Sequence, residues 1–246
     1  MKEWWEEPFQ KGWFPLPSFV KEWEGRTRKE VRSVRQLLKL SKKSKLLDVA
    51  CGVGRHSLPL SRHCQVTGID FSPVYLTIAK RNARKQRGRV RFLRCDLRNL
   101  PFADEFDAAI NLWSSFGYFL RASDDKKTIR SIANALKTHG QLIMDMPNPR
   151  SVKTNCEGIG WMRLKDGHVI IEERKSGPPI FKTHWTFLTP KGKSRTMISE
   201  IRAYSRHSLT ALLKRNGFSS VTFRGHLDGR LFNPNTSSRL VVIATK

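Results

Sequence analysis

The chain has 246 residues, room for one α/β domain with an insertion or at most two small domains. Its 46 Lys and Arg against 21 Asp and Glu leave a formal net charge of +25, which favours polyanions or acidic ligands as partners but does not bear on the fold. No apolar run approaches the roughly 20 residues of a membrane span, and four cysteines (Cys51, Cys64, Cys95 and Cys156) without a C-x-x-C pair argue against a metal site or a disulfide framework.

The N-terminus, Met-Lys-Glu-Trp-Trp-Glu-Glu, is acidic and aromatic and does not read as a signal peptide. Unpaired cysteines suit a reducing compartment, so the expected location is cytoplasmic. Through Val20 the chain carries Trp4, Trp5, Phe9, Trp13, Phe14 and Phe19 among Pro8, Pro15 and Pro17, too broken for one long helix. These aromatics read as a lid over a ligand pocket or as an apolar strap, with Trp5 on the acceptor side of any such pocket. Thr27 to Leu40 has helical apolar spacing, and Thr27 with Glu30 reads as a capping box. The lid and this helix form a first unit, residues 1–43.

A core unit of residues 44–150 follows. Leu46 to Ala50 reads as a buried strand ending in Cys51-Gly52-Val53-Gly54, and a helix starts near Arg55. Glycines at such a turn let backbone N–H groups approach a ligand. Gln65 to Asp70 is a second strand, and Ser72 and Pro73 are an N-cap and an N1 proline. Arg89 to Leu93 and Phe106 to Leu112 are the third and fourth strands. Ser123-Asp124-Asp125 opens a helix to Lys137, and Gln141 to Met146 is the fifth strand. Five strand–helix alternations predict a doubly wound parallel sheet, with ligands at the strands' C-terminal ends. Residues 151–205 change rhythm to period-two segments starting at Val169, Phe181 and Met197, an antiparallel insertion expected to cap the substrate. Residues 206–246 hold a short helix and two closing strands.

Two nucleotide readings compete at the turn. A dinucleotide fingerprint wants G-x-G-x-x-G/A, but the third small position holds Ser57, and Asp48 lies four residues before the first glycine. The alternative, D-x-x-C-G-x-G, resembles motif I of class I S-adenosylmethionine (SAM) methyltransferases. Asp70, 22 positions after Asp48, is placed to accept both ribose hydroxyls, with Phe71 beside the adenine. Asp96 is placed to accept from the adenine amino group, or reads as a turn cap; the Leu97 N–H reaches a ring nitrogen. Cys95 reads as wall. The aromatic loop after Asn111, containing Ser115, Phe116 and Tyr118, is placed to face the sulfonium and the acceptor, or its Phe116 and Phe119 read as ordinary core aromatics under a loop.

Leu47-Asp-Val-Ala-Cys-Gly-Val-Gly-Arg-His, Val66-Thr-Gly-Ile-Asp-Phe-Ser-Pro, Asp96-Leu-Arg-Asn-Leu-Pro-Phe and Ser115-Phe-Gly-Tyr-Phe resemble a bacterial and archaeal branch of those methyltransferases, as do the insertion and the C-terminal segment. The resemblance implies a seven-stranded, mostly parallel sheet with the last strand antiparallel. It implies SAM as cofactor and S-adenosylhomocysteine as product. By the same analogy, Asp48, Cys51, Gly52, Gly54, Asp70, Phe71, Asp96, Leu97 and Asn111 form the cofactor site, without a metal. The leading expectation is direct in-line transfer to N or O of a small molecule, in a pocket with Trp5, Ser115, Phe116 and Tyr118. His56 and Tyr118 are the candidate bases or acceptor ligands; for His56 the reading as an ordinary first-turn helix residue is preferred.

RNA is the rival acceptor, resting on the basic stretches Arg28 to Lys45 and Lys80 to Arg98. An N-P-P-Y-type loop is absent, since Asn111-Leu112-Trp113 stands there. A non-catalytic, SAM-binding, nucleic-acid-associated scaffold is the third reading. The acceptor and the oligomeric state are not legible.

Overall fold

The computed structural model describes residues 3–14, 16–86, 88–153, 158–176 and 178–246. Cys156 lies outside them. In chain order the elements are α1 (Glu6–Gln10), α2 (Leu16–Glu22), α3 (Glu24–Leu37), β1 (Lys45–Val49), α4 (Ser57–Leu60), β2 (Gln65–Asp70), α5 (Pro73–Lys85), β3 (Val90–Arg94), β4 (Phe106–Asn111), α6 (Ala122–Ala135), β5 (Leu136–Pro147), α7 (Pro149–Lys153), β6 (Gly158–Arg163), β7 (Val169–Ser176), β8 (Ile180–Leu188), β9 (Ser194–Arg202), α8 (Arg206–Lys214), β10 (Ser220–Arg224) and β11 (Arg239–Thr245).

Seven strands form one sheet in the order β10-β11-β5-β4-β1-β2-β3, with β11 antiparallel to both neighbours. This is the mixed sheet that the family resemblance implies. Strands with apolar residues on both faces must be covered on both faces. Leu47, Val49, Ile69 and Met144 bury against Ile129 and Ile132 of α6 and Leu209 and Leu213 of α8. On the other face, Leu46, Val66 and Ile110 meet Val31 and Val34 of α3 and Leu60 of α4. The N-cap and N1 proline of α5 stand as read: Ser72 Oγ accepts from the Tyr75 N–H at 3.2 Å.

Several local readings shift. The helix expected from Thr27 starts at Glu24, and Thr27 and Glu30 make no capping box. Thr27 Oγ1 donates instead to the Trp23 carbonyl one turn back, at 2.8 Å. The helix after the glycine turn is only four residues, Ser57–Leu60, with Pro59 in its first turn, where a missing N–H is tolerated. Asp124 and Asp125 lie inside α6, whose N-cap, Arg121, makes no side-chain cap. A fourth insertion strand, β6, precedes the three expected. Its glycines and short length gave no period-two signal.

The insertion forms a separate antiparallel sheet, β6-β7-β8-β9. Phe19, Leu164, Ile170, Phe187 and Met197 make its own apolar cluster, joined by Phe14, Trp23, Trp113 and Trp185. The N-terminal aromatics are therefore the packing between this sheet and the main one. The Trp4 indole donates to the Tyr118 carbonyl at 3.1 Å, and the Tyr75 hydroxyl to the Phe14 carbonyl at 2.9 Å.

The join on the other side runs through Arg202. Its backbone N–H donates to the Gly117 carbonyl at 2.7 Å, and its guanidinium holds the buried Asp125 at 3.1 Å. Burial pushes the Asp125 carboxyl up to about 6, against the pull of Tyr204 and Arg202. Gly117 has φ +87°, and a Cβ there would lie 2.5 Å from the Arg202 carbonyl oxygen. Gly117→Ala should therefore cost at least about 2 kcal/mol, combining left-handed strain with a backbone clash. Urea unfolding of the purified variant checks this; an unchanged midpoint refutes it.

Candidate functional site

β1 ends at Val49, and the chain turns through left-handed conformations at Ala50, Gly52 and Gly54, with φ of 60°, 54° and 80°. The two glycines do different jobs. A Cβ on Gly54 would come within 3.1 Å of Phe92 and 3.4 Å of Leu58, so Gly54 lets the turn pack against β3 and α4. The Gly52 N–H donates to Asp70 Oδ2 at 2.7 Å, and the Ser72 N–H to Oδ1 at 2.8 Å. The β1 turn and the end of β2 are thus tied through one carboxylate. Burial raises the Asp70 carboxyl above its usual range, and these backbone donors oppose the rise.

A cavity of about 680 Å³ opens over this turn. Cys51, Gly52, Asp70, Phe71, Asp96 and Leu97 line one end. The Asp96 carboxylate is gripped by Arg98, whose Nε lies 3.0 Å from both its oxygens, and the guanidinium stacks on Phe119. That grip outweighs burial and holds Asp96 below the usual carboxylate range. Asp48, Gly54 and Asn111 lie behind the lining. Asp48 accepts from the Ser57 hydroxyl, and burial lifts its carboxyl to about 7. Asn111 Nδ2 donates to the Val49 carbonyl at 3.1 Å, while its buried Oδ1 has no partner among the described residues.

Trp5, expected on the acceptor side, stands at the Asp70 end. Its ring meets Phe71 edge-on at 4.9 Å and Phe119 at 5.7 Å. Its buried Nε1 has no partner among the described residues. Ser115, Phe116 and Tyr118 do line the cavity. The Ser115 hydroxyl is turned to the Leu112 carbonyl at 3.2 Å, and Phe116 packs on Tyr204. Burial and the Asp70 charge push the Tyr118 hydroxyl well above its ordinary range, which makes it a poor base.

His56 also lines the cavity, and its surroundings were not legible in the sequence. Glu30 of α3, only 4% exposed, meets His56 Nε2 and accepts from Arg26 Nε, each at 2.8 Å, and forms an ion pair with Arg55 Nη2 at 2.8 Å. Arg55 Nη1 donates to Thr27 Oγ1 at 2.9 Å, and the guanidinium lies over the rings of Trp23 and Trp113. Burial alone would raise the Glu30 carboxyl, but His56, Arg55 and Arg26 together bring it down to about 2. Burial, and then Arg55, lower the His56 imidazole, while Glu30 and Asp145 oppose them.

The far wall comes from the insertion and the late strands: Glu172, Arg174, Phe181, Trp185 and Arg239. Arg239 pairs with Asp145 at 2.8 Å and donates to Ser114 Oγ at 3.1 Å. Trp113 and Ser114, at its edge, are left-handed non-glycine residues, with φ of 67° and 64°. Strain of this kind clusters at functional sites. Among the described residues, no group of His, Cys, Asp and Glu is arranged to hold a metal ion, and no helix is long and apolar enough to cross a membrane.

Residues 46–140 match the family model of a methyltransferase domain. Over this stretch the chain is similar to methyltransferase domains. The stretch spans β1 to β5 and carries the glycine turn, Asp70 and Asp96. The chain is 35% identical over 130 residues to a glycine/sarcosine N-methyltransferase of Parasynechococcus marenigrum, covering 52% of this chain and 46% of that one. It is 35% identical over 109 residues to a demethylmenaquinone methyltransferase of Thermus thermophilus, covering 43% and 48%. The chain thus spans about half the length of these curated relatives. The fold extends further: an S-adenosylmethionine-dependent methyltransferase from Clostridium acetobutylicum superposes with a TM-score of 0.79 at 19% identity, over 89% of this chain and 91% of that one. The main sheet and the insertion sheet together share the fold of that structure.

Glu30 gives a pH signature. Its folded-state value of about 2 lies below the ordinary 4.5, so its stabilisation is present above pH 4.5 and is lost as pH falls through about 2. Glu30→Gln leaves Arg55 buried without its counter-charge and should cost roughly 3 kcal/mol at pH 7. It should also shrink the stability lost between pH 7 and pH 3. Urea midpoints at the two pH values measure both effects.

Proposed function

We propose that the protein transfers a methyl group from SAM to a nitrogen or oxygen nucleophile of a small-molecule acceptor. The observation that carries this is the single cavity joining the Asp70–Gly52 end to a wall of aromatic and arginine side chains. Its volume of about 680 Å³ lies within the usual range for small-ligand sites.

The residues at the Asp70 end fit a nucleoside carrying a sulfonium. Each Asp70 oxygen accepts one backbone N–H and keeps acceptor capacity for a ribose hydroxyl. Phe71, Leu97 and Trp5 supply flat apolar surface for a base, and the orphaned Trp5 Nε1 is a buried donor there. Asp96, already held by Arg98, acts at the edge of that pocket. The Cys51-Gly52 turn passes the methionine part. Bound SAM supplies an activated methyl group whose leaving group is a neutral thioether. Trp4, Phe9, Phe14 and Tyr118 roof the site and exclude water. Trp113, Trp185, Phe181 and Arg239 orient the acceptor for in-line approach, and alignment of this kind supplies up to about 7–11 kcal/mol of the barrier.

The wall favours a small acceptor over RNA. Trp185, Phe181 and Met197 are apolar, whereas the exposed cations of α3 and α5, such as Arg28, Arg32, Lys80 and Arg84, do not line the cavity. The two curated relatives are named for very different acceptors, an amino acid and a quinone. Their kinship covers about half of this chain and does not select between such acceptors.

Asp70→Ala should weaken S-adenosylhomocysteine binding roughly 10–100-fold, the worth of charge-assisted hydrogen bonds. Calorimetry on the folded variant measures it, and an unchanged affinity removes Asp70 from the site. Incubated with a cell extract and tritiated-methyl SAM, the wild-type protein should label a low-mass fraction. Label confined to RNA would overturn the small-molecule reading.

A further inference from the structure

We propose that His56 is the general base that deprotonates the acceptor, through Nδ1, with Glu30 as its positioning residue. This rests on the methyl-transfer reading and specifies its acceptor: the nucleophile arrives carrying its proton, as a hydroxyl or a protonated amine.

The tautomer follows from the contacts. Glu30 is ionised and can only accept, so the His56 Nε2 at 2.8 Å must carry a hydrogen and donate it. A neutral imidazole with Nε2–H leaves its lone pair on Nδ1. Nδ1 has no hydrogen-bond partner among the described residues, while the side chain lines the cavity. His56 belongs to the same turn as Gly52, whose N–H holds Asp70, so the imidazole stands on the wall continuous with the cofactor end. Trp113 and Ser114 lie on the cavity lining with it.

A base needs more than position: it needs a partner for the cation it becomes. Glu30 provides this on the far side of the ring, as the carboxylate does in nucleophile–base–orienter arrangements. Arg55 and Arg26 share that carboxylate. They keep it ionised, while burial, helped by Arg55, favours the neutral imidazole. Asp145 of β5, itself paired with Arg239, adds a second negative charge near the ring. The charged groups around His56 are thus Arg55 on its own turn, Glu30 and Arg26 on α3, and Asp145 on β5.

The transfer step balances as follows. His56 Nδ1 takes the proton from the acceptor's X–H. The freed X lone pair forms the bond to the methyl carbon. The sulfur keeps the electron pair of the broken carbon–sulfur bond, and the new imidazolium rests against Glu30. The proton leaves to solvent when the products depart.

The experiment has two arms on the full-length protein. The first uses tritiated-methyl SAM with the low-mass fraction of a cell extract as acceptor pool. His56→Ala should lower transfer by roughly 10²–10⁴-fold, keep its S-adenosylhomocysteine affinity, and regain part of the rate with added imidazole. The wild-type rate should fall on acidification through a pKa below the ordinary histidine value. Glu30→Gln should shift that fall to still lower pH, because losing the carboxylate makes the imidazole harder to protonate, and should also lower the plateau rate. Undiminished transfer by His56→Ala overturns the base. So does a loss that imidazole does not restore in a folded, ligand-binding variant.

The second arm needs no acceptor. Nitrogen-15 NMR of the wild-type protein should show His56 protonated at Nε2 and bare at Nδ1 at neutral pH, with loss of that tautomer preference in Glu30→Gln. The opposite tautomer overturns the proposal, whatever the fate of the methyl-transfer reading. A wild-type protein that binds S-adenosylhomocysteine and labels nothing overturns the function on which the base depends.

Discussion

The carboxylate of Glu30 is the constraint on which the His56 end of the cavity depends. It is nearly inaccessible to water, yet three cationic or proton-bearing groups converge on it from one helix and one turn. A lone buried carboxylate would be untenable, and a lone buried Arg55 equally so. Each makes the other admissible. The consequence is positional: α3 cannot slide against the glycine turn without separating buried opposite charges. Arg55 then has a fixed plane, on which Trp23 and Trp113 lie. These two rings are where the insertion's apolar cluster begins.

A second carboxylate, Asp70, plays the corresponding part at the other end of the cavity. It is held by backbone donors rather than by cations, so its charge is left to face a ligand. The contrast explains why the two ends differ chemically. One end offers acceptors to hydroxyl groups. The other offers aromatic faces and guanidinium groups whose charges are already met by Glu30, Asp145 and Glu172. A polar but nearly balanced wall is what the proposed small acceptor would meet.

The N-terminal segment links these ends. It is aromatic because it must satisfy two surfaces at once: the rim of the main sheet, through Phe71 and Tyr75, and the insertion sheet, through Trp185 and Phe187. Its short helices, broken by proline, let successive rings face different directions. A single continuous helix presents one stripe and reaches only one of the two surfaces.

Much of the main sheet was legible in the residues alone. Apolar runs of five or six, closed by Asp or Gly and followed by caps such as Ser72-Pro73, fix strand and helix identity locally, and their alternation fixes the sheet type. Asp70 and the Cys51-Gly52 turn were equally legible, because strand ends in such a sheet share one rim. What only the tertiary structure decided is which distant groups meet. Glu30 spells a capping box with Thr27 by spacing, yet it pairs with His56, 26 positions away. Arg239 reaches Asp145 across 94 positions. Asp48 and Asn111 carry polar groups at strand ends but turn behind the lining, and Gly54 leaves room for Phe92 and Leu58. Periodicity records which face of an element is buried. It holds no information on the partner across the gap, and the chemistry of this cavity is made of such partners.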